Sequence, residues 1–103
     1  MPQLTVVTVQ QAIQNTEAYI AKNGGLYSQW YAGVASKPED RLFSDHNVTR
    51  NGGAWSYADL GTDTAARKVE DYFLNKGCKG APGGGDWSSH FFYVYQITNS
   101  TRE

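Results

Sequence analysis

The run His90-Phe91-Phe92-Tyr93-Val94-Tyr95-Gln96-Ile97-Thr98 constrains the fold more than any other part of the chain. In a strand, successive side chains point to opposite faces. Phe91, Tyr93, Tyr95 and Ile97 then share one face and Phe92 and Val94 the other, so both faces are apolar. A strand with one wet face would leave one of these rows in water. Residues 90–98 are therefore expected at the centre of a sheet, covered on both sides.

The rest of the chain supplies what could surround such a strand. Residues 5–7 read as a short strand or an extended lead-in. Thr8 with Gln11 has capping-box spacing. Val9, Ile13, Thr16 and Ile20 follow on one helical face, and Gly24 after Asn23 supplies a stop, which predicts a helix over 9–22. Leu26 to Ala35 is aromatic and β-prone, and predicts a strand. Ser36, Pro38 and Glu39 have the pattern of a cap, a first turn and a capping-box partner, for a short helix over 37–45. Asn51-Gly52-Gly53 is turn chemistry. Ala54 to Leu60 alternates, with Trp55 and Tyr57 on one side, and reads as a strand. Gly61-Thr62 opens a third helix with Ala65, Ala66, Val69, Tyr72 and Phe73 as its apolar stripe, and Gly77 ends it. Residues 77–89, rich in Gly and Pro, read as a loop or flap. The tail from Asn99 is expected to fray. The expected fold is α+β: a small three-stranded, mainly antiparallel sheet flanked by three helices, with the C-terminal strand central.

At 103 residues the chain is expected to form one domain, residues 1–103. Seven Tyr, four Phe and three Trp supply much of the buried area that a core this small needs. The net charge of −1 counts against tight non-specific DNA binding, which depends on several Lys/Arg contacts to phosphates. Cys78 is the only cysteine, so an internal disulfide and a cysteine zinc cluster are excluded. No signal-peptide pattern or membrane-length apolar run is visible. A cytoplasmic location is therefore expected, and the sequons at Asn47 and Asn99 are read as chance.

Three features could carry chemistry. Trp30 to Asn47 brings a phenol (Tyr31), a guanidinium (Arg41) and an imidazole (His46) together across one strand-to-helix turn. Phosphodiester hydrolysis needs an activated water, a cation facing the developing charge, and a metal ion or acid for the leaving oxygen. Tyr31 could orient the nucleophile, Arg41 bind the phosphate through its planar fork, and His46 act as acid or base. The competing reading is a half-buried strand tyrosine and a solvated helix arginine. Glu70 borders the apolar stripe of the third helix. It either points into a cleft, where one carboxylate plus waters can hold Mg²⁺, or pairs at the surface with Arg67 or Lys68. The loop Gly80 to Trp87 has glycines that could cradle an anion. No Gly-Lys-Ser/Thr follows it, so it is not a P-loop, and a flap carrying Trp87 or a plain connector fits better. His90, at the strand mouth, is a weaker candidate.

Tyr31-Ala32-Gly33, the step to Arg41, His46-Asn47 and the later Ala66…Glu70 helix together resemble the GIY-YIG nuclease superfamily, over about residues 30–75. The resemblance implies Tyr31 near the nucleophile, Arg41 on the phosphate, His46 as auxiliary acid or base, and Glu70 on Mg²⁺ or Mn²⁺. Three departures accompany it. Gly25-Leu26-Tyr27 lies too close to Tyr31 to form a hairpin with it. The Arg41–His46 step is one residue longer than in the family, which in an α-helix rotates the histidine by about a third of a turn. The family's asparagine after the glutamate has no good counterpart, Asn75 being a poor substitute. A permuted arrangement repairs the first departure: Tyr93-Val94-Tyr95 stands where Gly-Ile-Tyr would be, and Tyr93 or Tyr95 offers the second phenol.

Two functions follow as expectations. One is a GIY-YIG-like nucleic-acid-processing domain, a divalent-metal-dependent endonuclease. The other is a non-catalytic binding protein on the same scaffold, such as a phage or mobile-element protein acting on a host protein or nucleotide. A structural or oligomerising module using its aromatic surface is a third. Tyr31, Arg41 and Glu70 converging on one cleft favours the first, and Glu70 in solvent excludes it.

Overall fold

The computed structural model describes residues 6–81 and 88–103. Helix α1 spans Val9–Asn23, and the capping box at its start is formed. Thr8 Oγ1 accepts the Gln11 N–H at 3.1 Å and Gln11 Oε1 accepts the Thr8 N–H at 3.0 Å. The stripe it buries is Ala12, Thr16 and Ile20, with Val9 and Ile13 packed at its margin. Of the expected lead-in, Thr5 lies outside the described residues, and Val6 makes only an isolated bridge to Asp59.

The strand expected over Leu26–Ala35 is shorter. Tyr27–Gln29 forms one 3₁₀ turn and strand β1 begins at Trp30, running Trp30–Ala35. The cause is local: the Gln29 side chain reaches back to accept the Leu26 N–H at 2.9 Å, which holds the backbone in a turn and leaves Leu26 exposed.

The short helix that follows is a π-helix over Asp40–Asp45. The His46 N–H donates to the Arg41 carbonyl at 2.9 Å, a span of five residues. This bond spans one residue more than the i to i+4 bond of an α-turn, and it sets where His46 leaves the winding relative to Arg41. The capping box expected from Ser36 and Glu39 is not formed. Glu39 instead accepts the Tyr57 hydroxyl at 2.8 Å and pairs with Arg50 at 3.2 Å, so its carboxylate faces the neighbouring strand.

Strand β2 is Trp55–Asp59, helix α2 is Asp63–Lys76 and strand β3 is Phe91–Gln96. Thr62 caps α2 by accepting the Ala65 N–H at 3.1 Å. Gly77 ends it at φ 117°, a left-handed conformation that glycine adopts without strain.

The sheet order is β1-β3-β2 with both pairings antiparallel, so the doubly apolar C-terminal strand is central. The register sets Tyr31 opposite Tyr95, and both Gly33 and Tyr57 opposite Tyr93. On one face Trp30, Ala32, Val34, Phe92 and Val94 pack against Ala66, Val69 and Phe73 of α2 and Ala12 and Ile20 of α1. On the other, Tyr31, Tyr57, Tyr93 and Tyr95 pack with Leu42 of the π-helix and Val48. Each large apolar side chain so buried is worth ~1.5–3 kcal/mol, and aromatics carry most of both layers.

Both outer edges of the sheet are partly covered. Along β1, Lys79 donates to the Trp30 carbonyl at 2.8 Å and accepts the Ala32 N–H at 2.9 Å. This lays the start of the glycine-rich loop beside β1. Along β2, the Val7 N–H donates to the Asp59 carbonyl at 2.9 Å.

The tail does not fray as expected. Asn47, at φ 56°, donates its side-chain amide to the Ser100 carbonyl at 2.8 Å, and the Arg102 N–H donates to the His46 carbonyl at 2.6 Å. The tail folds back because His46 and Asn47 give its polar backbone groups partners. Among the described residues, no helix is long and apolar enough to cross a membrane.

Candidate functional site

A cleft of about 30 Å³ opens beside β1 and is lined by Tyr31, Gly33, Arg41, Glu70, Ala81 and Tyr93. Each polar group arrives on a different element: Tyr31 from β1, Arg41 from the π-helix, Glu70 from α2 and Tyr93 from β3. Gly33 makes the arrangement possible. A Cβ on Gly33 would lie 2.6 Å from the Tyr93 ring carbon and hydroxyl, so only glycine lets the Tyr93 ring cross β1.

Glu70 is 2% exposed. It reaches the cleft rather than solvent, and no ion pair among the described residues joins it to Arg67 or Lys68. Burial, aided by the charge of Asp71, pushes its carboxyl up to about 7 against a smaller opposing pull from Arg67. Arg41 stands half-exposed at the mouth. Its Nε lies 3.1 Å from an Asp45 carboxylate oxygen, yet the N–H is not aimed at that oxygen and has no hydrogen-bond partner among the described residues. Its positive charge acts on both Tyr31 and Tyr93.

His46 is placed differently from the sequence expectation. It does not line the cleft but stands behind Tyr93, 3% exposed. Its Nδ1 lies 2.6 Å from the Arg102 carbonyl, which can only accept, so the proton is on Nδ1. Nε2 is then an acceptor and takes the Tyr93 hydroxyl proton in a 2.8 Å hydrogen bond. Burial, the largest influence, lowers the pKa of the imidazole, with Arg41 adding to it; the Arg102 carbonyl opposes. His46 is displaced from the cleft because the larger Tyr93 ring already fills the space above Gly33.

Tyr95 is wholly buried and supports the site from behind. Its ring stacks on Tyr31 at 5.2 Å, and its hydroxyl lies 3.0 Å from His46 Nδ1 and donates to the Arg102 carbonyl at 3.2 Å. Burial raises the pKa of all three phenols, Tyr31, Tyr93 and Tyr95. His90 is not part of this group: its Nδ1 faces the Asp59 carboxylate at 2.7 Å, because it lies just before β3, where that strand starts beside the end of β2. Trp87 lies outside the described residues.

Sequence reasoning missed two contributors. Ala81 forms a wall of the cleft, and the backbone of Arg102 holds His46. A backbone carbonyl leaves no mark in residue identity, so no sequence signal could have pointed to Arg102. Among the described residues no three His, Cys, Asp or Glu side chains group as ligands for a metal ion, so any cation in this cleft would have Glu70 as its protein carboxylate. No family model, curated protein or solved structure matches the chain.

Proposed function

We propose that this cleft hydrolyses phosphodiester bonds, in a GIY-YIG-like nuclease domain whose central strand has moved to the C-terminus. The observation that carries the reading is the convergence of Tyr31, Arg41, Glu70 and Tyr93 on one small opening. The central place of β3 beside β1 supports the permuted order.

The Arg41 fork holds two non-bridging phosphate oxygens and faces the charge that develops on them. A water held between Tyr31 and Tyr93 attacks phosphorus. As the new O–P bond forms, the water proton passes to the Tyr93 oxygen while the Tyr93 proton passes to His46 Nε2. The opposite P–O bond breaks, and the leaving oxygen takes its proton from solvent. His46 suits this because its imidazole is neutral and its Nε2 lone pair already faces the phenol.

A divalent cation fits the donor set as a single-carboxylate site. Glu70 is a buried carboxyl whose charged form is only partly compensated by Arg67, and Mg²⁺ commonly takes one or two carboxylates plus waters and phosphate oxygens. When bound at Glu70, Mg²⁺ or Mn²⁺ supplies positive charge to the phosphoryl oxygens and acidifies water.

The net charge of −1 favours a second reading, a binding protein on the same scaffold that engages a protein or nucleotide without turnover. Incubation of plasmid and of DNA and RNA oligonucleotides with Mg²⁺ or Mn²⁺ separates the two. The nuclease reading expects metal-dependent cleavage that Glu70→Ala and Arg41→Ala abolish. Cleavage indifferent to both substitutions rejects the site, and binding without cleavage supports the second reading.

A further inference from the structure

We propose that the backbone of Arg102 is a positioning element of the cleft, and that the tail segment 98–102 selects which nitrogen of His46 carries the proton. The inference rests on the proposed function only for its rate readout; the protonation claim stands on geometry alone.

The tail is built to deliver one carbonyl to one place. The Thr101 N–H donates to the Thr98 carbonyl at 3.3 Å, while Thr101 Oγ1 accepts the Thr98 N–H at 3.0 Å, closing a tight turn. The Ser100 carbonyl is held by Asn47 at 2.8 Å. Arg102 then meets His46 twice, N–H to carbonyl and carbonyl to Nδ1, both at 2.6 Å. The Tyr95 hydroxyl donates to the same carbonyl and steadies it.

The consequence runs through Tyr93. With a carbonyl against Nδ1, the alternative tautomer would set two lone pairs against each other in a buried site, which is costly. Nε2 therefore stays unprotonated and accepts the Tyr93 hydroxyl, turning that proton away from the cleft and leaving the lone pairs of the phenol oxygen toward Arg41 and the cleft, where a water can donate to one of them. An unrestrained imidazole favours its proton on Nε2. Without the tail, Nε2–H would donate to Tyr93, the phenol proton would turn outward, and the relay from water to His46 would have no acceptor.

The test compares the intact chain with a version ending at Ser100 and with Arg102→Pro and Arg102→Ala. Nitrogen-15 spectra of the His46 ring above its pKa read the tautomer, and backbone amide spectra confirm folding. The intact chain and Arg102→Ala, which keeps the carbonyl, are expected to show a protonated Nδ1 and a bare Nε2. The truncated chain is expected to shift toward Nε2–H, with cleavage slowed ~100-fold in kcat and little change in KM, the scale of a lost general base. Arg102→Pro loses the N–H contact to His46 and is expected to lie between; it serves as the test should truncation unfold the chain. An unchanged tautomer in truncated or Arg102→Pro protein overturns the proposal, as does an equal loss in Arg102→Ala. If the intact chain cleaves nothing, the nuclease reading fails while the ring spectra still decide this one.

Discussion

The Tyr93 hydroxyl and His46 Nε2 lie 2.8 Å apart, and only the phenol can be the donor, because the other ring nitrogen has its proton on the Arg102 carbonyl. The cleft therefore presents a phenol oxygen whose proton is already directed to a neutral base. Removing the phenol should cost both folding and rate. Tyr93→Phe leaves a buried nitrogen unpartnered, at ~1–3 kcal/mol, and slows cleavage ~100-fold or more. Tyr31→Phe should slow cleavage while changing stability by less than about 1 kcal/mol. Urea unfolding and single-turnover cleavage measure both, and a Tyr93→Phe protein as stable as wild type would refute the buried bond.

Gly33 is expected to be intolerant for reasons of space. A methyl group there meets the Tyr93 ring at 2.6 Å, so Gly33→Ala must displace the ring or the strand. The expected cost is ~1–3 kcal/mol of overpacking, together with loss of the His46 hydrogen bond. Chemical denaturation and the His46 ring spectrum report the two effects separately. Wild-type stability in Gly33→Ala would show that Tyr93 does not cross β1 as described.

Glu70 makes stability fall with rising pH. Its carboxyl is raised to about 7 by burial, so the folded chain keeps a proton that the unfolded chain releases at its ordinary, lower pKa. Between those two values the native state binds more protons, and stability drops as pH climbs. Over the whole window the loss amounts to ~3 kcal/mol. Glu70→Gln removes this dependence, so the difference in Tm between the two proteins, measured without metal from pH 4 to 8, should grow with pH in favour of Glu70→Gln. Added Mg²⁺ or Mn²⁺ should raise the wild-type Tm chiefly at the alkaline end. A constant difference would mean that the carboxyl is not buried.

The π-helix makes a prediction about chain length. Its i to i+5 bond from His46 to Arg41 accommodates one residue more than an α-turn. Deleting the exposed Ser44 should let an α-turn form and still leave His46 behind Tyr93, with Tm unchanged or higher. Loss of the folded state on deletion would show that the wider winding is required.

The central strand, the sheet and both long helices were readable because their signals are local: residues apolar on two faces, a Thr8–Gln11 box, a Gly77 stop. The polar groups of the cleft were readable as residue types at given spacings. Their geometry was not. The Glu39 carboxylate takes Tyr57 and Arg50 as partners rather than closing a box with Ser36, a pairing that needs β2 and the turn before it in place. The retreat of His46 behind Tyr93 depends on Gly33 lying opposite Tyr93, which only strand register decides. The docking of the tail depends on backbone groups, which residue identity does not encode.

The most direct test of the account is single-turnover cleavage of an end-labelled oligonucleotide by wild type and Glu70→Gln across a Mg²⁺ or Mn²⁺ titration. Glu70→Gln keeps the shape of the side chain and removes its charge. Wild type is expected to show saturable, metal-dependent cleavage and Glu70→Gln a loss of ~100-fold or more, the order expected when charge stabilisation at a phosphoryl site is removed. Equal rates and equal metal dependence in the two proteins would contradict it.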